Sequence, residues 1–162
     1  MIQVYTGGGK GKTTASLGLA FRALGHGWQV LIIQFLKKGE YGEVRMSRTL
    51  DRLTIEQYGS GEFVLEPTEK DKEQARKALA RAFEAKDYPL VILDEILGAL
   101  SIGLLTREEV EPLLDWPSDK ELVLTGRDAP DWIIERADLV SEIKEIKHPY
   151  RKGIPARQGI EF

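Results

Sequence analysis

Apolar positions along the chain fall into short runs separated by polar turns, and their period changes from run to run. Residues 2–5 (IQVY) form a short apolar strand, and 13–24 follow as an apolar helix closed by Gly25-His26-Gly27. Residues 29–35 (QVLIIQF) are apolar almost throughout, which predicts a strand buried on both faces. Residues 53–58 alternate and predict a strand nearer an edge. From 68 to about 86 the chain is charged and alanine-rich with apolar residues at helical spacing, the pattern of a surface helix. Residues 90–93 read as a second buried strand, ending at Asp94-Glu95. Thr106-Arg107-Glu108-Glu109 has capping-box spacing and starts a helix predicted to reach about 115. A strand at 121–125, a short proline-opened helix at 130–136 and a final strand at 139–146 precede an aperiodic tail at 147–162. This alternation of strand and helix predicts an α/β fold with a mainly parallel central sheet flanked by helices.

Length and composition narrow the picture. A chain of 162 residues without repeats, low-complexity segments or a linker reads as one domain, 1–162. A net charge of −3 gives no bulk attraction to nucleic acid or acidic lipid. No apolar run approaches the roughly 20 residues of a membrane span, and nothing at the start resembles a secretion signal. The expectation is a cytoplasmic protein. With 0 cysteines there are no disulfides, thiolate metal sites or cysteine nucleophile. His26 and His148 are too few for a histidine-rich metal centre, so any metal is expected to be a hard cation held by oxygens and phosphates.

The chemistry concentrates where strands end. Thr6-Gly7-Gly8-Gly9-Lys10-Gly11-Lys12-Thr13-Thr14 lies between the first strand and the first helix, the setting of a phosphate-binding loop. Gly11-Lys12-Thr13 fits the end of the usual pattern, but Thr6 stands where its first glycine belongs. Glycines let the backbone aim N–H groups at phosphate oxygens, and the helix adds its positive end. Lys12 would reach the terminal phosphates, Thr13 would help hold Mg²⁺, and Lys10 adds a second cation. Asp94-Glu95 reads as the acidic end of a buried strand beside the loop strand, where carboxylates either bind Mg²⁺ or cap the next helix; with a phosphate loop present, the metal reading wins. Arg127, in Thr125-Gly126-Arg127, is either a bidentate phosphate contact or a surface arginine. Arg22, late in the first helix, is open in the same way. Residues 37–43 read as a solvated connection or a ligand-covering loop. In Gly59-Ser60-Gly61-Glu62-Phe63-Val64-Leu65, apolar side chains follow glycines, so they line a pocket or dock on the protein's own core. His26 reads as a turn residue, and His148 as an optional substrate contact.

Taken together, several segments resemble the ATP:corrinoid adenosyltransferases of the P-loop class. They are Thr6 to Thr14, Arg22-Ala23-Leu24-Gly25-His26-Gly27, Gln34-Phe35 with Lys37 or Lys38, Leu93-Asp94-Glu95, Thr125-Gly126-Arg127 and a tail with Lys147-His148, Gly153, Ala156 and Gly159-Ile160-Glu161-Phe162. The order holds from end to end. The resemblance implies a P-loop, RecA-like architecture and transfer of the 5′-deoxyadenosyl group of ATP to a reduced corrinoid. In such transfer cob(I)alamin attacks the ribose C5′ and triphosphate leaves, with ATP lying in reverse sense along the loop. It further implies that Gly7, Gly8, Gly9, Lys10, Gly11, Lys12, Thr13 and Thr14 bind ATP, with Arg22 in a matching segment. Thr13 and Glu95 would flank Mg²⁺, with Asp94 a weaker candidate, and Lys12 and Arg127 would act on the polyphosphate. Phe63 matches an aromatic that favours the four-coordinate corrinoid, while Leu65 stands where the family has a tryptophan. A homodimer and an electron-donating reductase or flavodoxin-type partner are also implied. The competing expectations are a small P-loop ATPase or kinase and a non-catalytic, ATP-responsive corrinoid chaperone.

Overall fold

Strand composition decides the layering. The computed structural model describes residues 1–61 and 66–162. Among these, strands β1 (Ile2–Thr6), β2 (Val30–Phe35), β3 (Leu53–Tyr58), β4 (Leu90–Asp94), β5 (Glu121–Thr125) and β6 (Leu139–Glu142) form one sheet. The order is β3-β2-β4-β5-β1-β6, and every pairing is parallel. All residues of β2 and β4 are buried, as continuous apolar runs require in the middle of a parallel sheet. The edge strands β3 and β6 are polar or exposed along much of their length.

The helices are α1 (Lys12–Gly25), α2 (Gly42–Ser47), α3 (Glu69–Glu84), α4 (Ile96–Ser101), α5 (Arg107–Val110) and α6 (Asp131–Ile134). Side chains alternate between the two faces of a strand, so each central strand feeds two cores. Val30, Ile32, Leu90, Ile92 and Val123 pack with Ala20 and Ala23 of α1. Leu31, Ile33, Phe35, Val91, Leu93, Leu122 and Leu124 pack on the opposite side with Ala75, Ala78, Leu79 and Ala82 of α3 and with Ile96, Leu97 and Ala99 of α4. The result is a three-layer α/β/α arrangement with the phosphate loop and the acidic pair at the carboxyl ends of the strands.

Several expectations change. β4 is not beside β1; β5 lies between them and pairs with both. The apolar run 96–101 is helix α4, buried through Ile96, Leu97 and Ala99. Residues 42–47 form α2, a short helix with no buried residue and hence no apolar periodicity to reveal it. The capping box at Thr106 and Glu109 is present, but α5 tightens at Glu111–Leu114 into a 3₁₀ turn, where Pro112 lacks the N–H an α-helix needs. β6 stops at Glu142 because the chain turns onto the phosphate loop: Ile143 N–H donates to Thr6 O (2.8 Å), and Ile143 O accepts from Gly9 N–H (2.7 Å). No helix among the described residues is long and apolar enough to cross a membrane.

Candidate active site

The loop from Thr6 to Gly11 is shaped as much by its own protein neighbours as by any phosphate. Gly7 has φ 101°, and a Cβ there would sit 2.5 Å from Ile143 O; a Cβ at Gly9 would sit 2.7 Å from the Lys144 carbonyl carbon. These glycines admit the 143–144 segment. A Cβ at Gly8 would meet nothing within 4 Å, so this position faces open space. Lys12 is buried and donates from Nζ to Gly7 O (2.7 Å) and Gly9 O (2.8 Å), clasping the loop. Burial holds its pKa below the ordinary lysine value. The α1 ladder begins with Ala15 N–H to Gly11 O (2.7 Å), so the N–H groups of Lys12, Thr13 and Thr14 precede it and are free of intrahelical acceptors.

Thr6 has a definite structural task. Its buried hydroxyl accepts from Ala129 N–H (3.2 Å) and so ties the end of β1 to the loop after β5. Gly126 completes that loop's seat: its N–H donates to Tyr5 O (3.3 Å), and at φ 141° a Cβ would meet Leu97 Cβ at 2.7 Å. Arg127 is thereby carried, exposed, to the mouth of the site.

Asp94 is the buried hub. Its Oδ1 accepts from Thr13 Oγ1–H (2.8 Å) and Thr125 Oγ1–H (2.7 Å); its Oδ2 accepts from Lys37 Nζ (2.6 Å) and Gln34 Nε2 (3.4 Å). Both oxygens are thus committed to protein donors. Thr125, on the intervening strand β5, also accepts from Glu95 N–H (3.0 Å), so its hydroxyl ties the end of β5 to both acids at the end of β4. Burial tends to lower the Lys37 pKa, but the charge and hydrogen bond of Asp94 outweigh it and the net shift is upward. Glu95 adopts the left-handed conformation (φ 65°), and Leu36 (φ 60°) and Asp128 (φ 53°) do the same after β2 and β5. All the described non-glycine residues with positive φ therefore cluster at one edge of the sheet, as strained backbone does at functional sites. Burial, reinforced by the charge of Asp94, raises the carboxyl pKa of Glu95.

Two cavities share this edge. The first, of about 580 Å³, is lined by loop residues 8–14 with Lys37, Glu95, Arg127, His148 and the tail residues 159–162. The second, of about 540 Å³, is lined by Leu36, Lys38, Gly61, Gly98, Ile102 and Asp128 among others. Lys37, Tyr41, Glu95 and Arg127 line both.

A chain with this loop, acidic hub and tail matches, over residues 1–162, the family described as ATP:corrinoid adenosyltransferase BtuR/CobO/CobP. The chain belongs to the ATP:corrinoid adenosyltransferase family. It is 39% identical over 171 residues to a corrinoid adenosyltransferase of Sinorhizobium, covering all of this chain and 80% of that protein. Corrinoid adenosyltransferases of Pseudomonas aeruginosa and Escherichia coli are each 34% identical, again across the whole chain and over 83% and 85% of their own lengths.

In this adenosyltransferase fold, Gly8, Gly9, Lys10, Gly11, Lys12, Thr13, Thr14, Glu95 and Arg127 come together around the first cavity. Gly7 stands behind them against Ile143. Arg22 lies in the last turn of α1, exposed and away from that lining. Phe63 and Leu65 lie outside the described residues, although Gly61 beside them lines the second cavity. Sequence reasoning missed Lys37 as a hub partner, Ile143 as the loop's backing, and Glu161, whose carboxylate accepts from Lys10 Nζ (2.6 Å). Lys37 had a signal, a lysine just past a buried strand that ends beside the acids, and Glu161 lay in the tail segment that carries the family resemblance, though nothing there gave Lys10 as its partner.

Proposed function

We propose that this protein transfers the 5′-deoxyadenosyl group of ATP to the cobalt of a reduced corrinoid and releases triphosphate. The observation that carries the reading is the pair of adjoining cavities: a phosphate-loop cavity and a second one, with Lys37, Tyr41, Glu95 and Arg127 lining both. Two reactants held in cavities that share these four lining residues meet directly, with no protein nucleophile between them. The cobalt electron pair forms the bond to ribose C5′; the C5′–O5′ bond breaks and its electrons stay on the α-phosphate. No proton has to move. The protein's part is position and charge. The N–H groups that open α1, with Lys10, Lys12 and Arg127, stabilise the departing polyphosphate.

The donor set fits Mg²⁺. Thr13 spends its proton on Asp94 and meets Lys37 only at 3.5 Å, which leaves an oxygen lone pair for a cation, and the Glu95 carboxylate lines the same cavity. Asp94 is saturated and instead orients Thr13. When bound, the metal supplies electrostatic stabilisation of the triphosphate. The corrinoid occupies the second cavity, with Phe63 and Leu65 assigned to its side by family resemblance. The whole of 1–162 acts as one adenosyltransferase domain in the cytoplasm, as a homodimer that receives electrons from a reductase or flavodoxin-type protein; the resemblance to the family supports these last assignments.

The test is optical. With ATP, Mg²⁺ and chemically reduced cobalamin, the spectrum should convert to that of a light-sensitive alkylcobalamin. A stable reduced-corrinoid spectrum, with ATP consumed to ADP, would overturn the proposal.

A further inference from the structure

Lys37 belongs neither to the phosphate loop nor to the Arg127 loop, yet it stands where the two cavities meet. Its placement is built in. Leu36 turns the chain through φ 60°, its N–H held by Tyr58 O (3.0 Å). Gly59 packs so closely that a Cβ there would lie 2.6 Å from Lys37 N. The side chain then runs past the ring of Tyr41, 6.0 Å from its centroid, to Asp94 Oδ2 at 2.6 Å, with Thr13 Oγ1 at 3.5 Å. Asp94 is 1% exposed and Lys37 20%, so the pair is anchored on the acid's side and open on the lysine's. An ammonium carries three donors. One is spent on Asp94 and one reaches Thr13 at the limit of a hydrogen bond, which leaves another without a partner among the described residues.

We infer that Lys37 is a further functional residue of the transfer reaction, holding a fixed positive charge in the shared lining, where negative charge accumulates on the leaving triphosphate. The inference rests on the adenosyl-transfer reading and deepens it. As the C5′–O5′ bond breaks, the electron pair moves onto the α-phosphate oxygen, so triphosphate carries one more negative charge than the triphosphate ester it came from. A cation beside that oxygen favours the product-like charge over the ground state, which is what raises turnover rather than binding.

Lys37→Gln keeps a side-chain donor for Asp94 and removes the charge; Lys37→Arg keeps the charge. We expect K37Q to lower kcat about 100-fold, the scale of losing one group aimed at developing charge. Calorimetric titration with Mg²⁺ should show inorganic triphosphate weakened about tenfold and ATP by less than about threefold. K37R should recover part of the turnover. Retention of kcat in K37Q, or an equal loss of affinity for ATP and triphosphate, would overturn the inference and leave Lys37 as a partner of Asp94 alone. Should glutamine unfold the domain, Lys37→Met is judged by the same two outcomes. If the unsubstituted protein made no adenosylcorrinoid, the parent reading would fall, while the affinity comparison, which needs no corrinoid, would still decide for or against Lys37.

Discussion

Thr6 shows how a single residue can depart from a motif for a structural reason. Its hydroxyl holds Ala129 N–H and so fixes the loop that carries Arg127. Thr6→Gly restores the common loop pattern but deletes that bond. It should cost about 1 kcal/mol in chemical denaturation and lower kcat through a loosened Arg127; unchanged turnover would detach Arg127 from the reaction. The loop glycines make a second contrast. Gly7→Ala forces a Cβ against Ile143 O at φ 101° and should destabilise by about 2 kcal/mol or more, whereas Gly8→Ala meets open space and should melt like the parent. The neighbouring acids should separate too. Asp94→Asn leaves Lys37 without its charged partner and should destabilise by about 2–3 kcal/mol, below the full cost for a wholly buried pair because Lys37 is 20% exposed. Glu95→Gln should fold normally and lose Mg²⁺-dependent turnover, as followed by thermal melting and a metal titration of activity.

Among the elements, those with a strong period or a continuous apolar run were legible in the chain, and those shaped by tertiary contact were not. β2 and β4 announce themselves as apolar runs, and Thr106 with Glu109 announces α5. The extension of β6 toward residue 146 was not to be had, because hydrogen bonding to the phosphate loop ends the strand at Glu142. Nor does chain order reveal that β5 sits between β1 and β4, since a parallel sheet is ordered by its crossovers. The site was read by its residue types, yet its hub was not, because Lys37, Thr125 and Asp94 meet only after the strands assemble. The tail was legible only by resemblance. Its turn at 157–162 is fastened to the phosphate loop through Glu161, whose carboxylate accepts from Arg157 and Lys10 and is pulled from 4.5 down to about 2 by them. A depressed carboxylate favours docking above its free pKa and loses that contribution as pH falls through the bound value. Amide exchange at Gly159 and Glu161 should therefore accelerate as pH drops from about 4.5 to about 2 relative to the same amides in Glu161→Gln. A flat comparison across that window would show that the ion pairs do not hold the tail.

At the scale of the whole molecule, one sheet edge carries two adjoining cavities that share Lys37, Tyr41, Glu95 and Arg127 in their lining. That architecture suits a reaction in which two substrates exchange a group directly and the protein supplies alignment and counter-charge. A hydrolase built on the same loop would cut between the phosphates, whereas this corrinoid adenosyltransferase should cut between ribose and the α-phosphate and discard the triphosphate whole. Phosphorus NMR of a turnover mixture containing ATP, Mg²⁺ and reduced corrinoid distinguishes the two in one spectrum. Inorganic triphosphate accumulating in step with adenosylcorrinoid is the predicted result; ADP with orthophosphate in its place would contradict it.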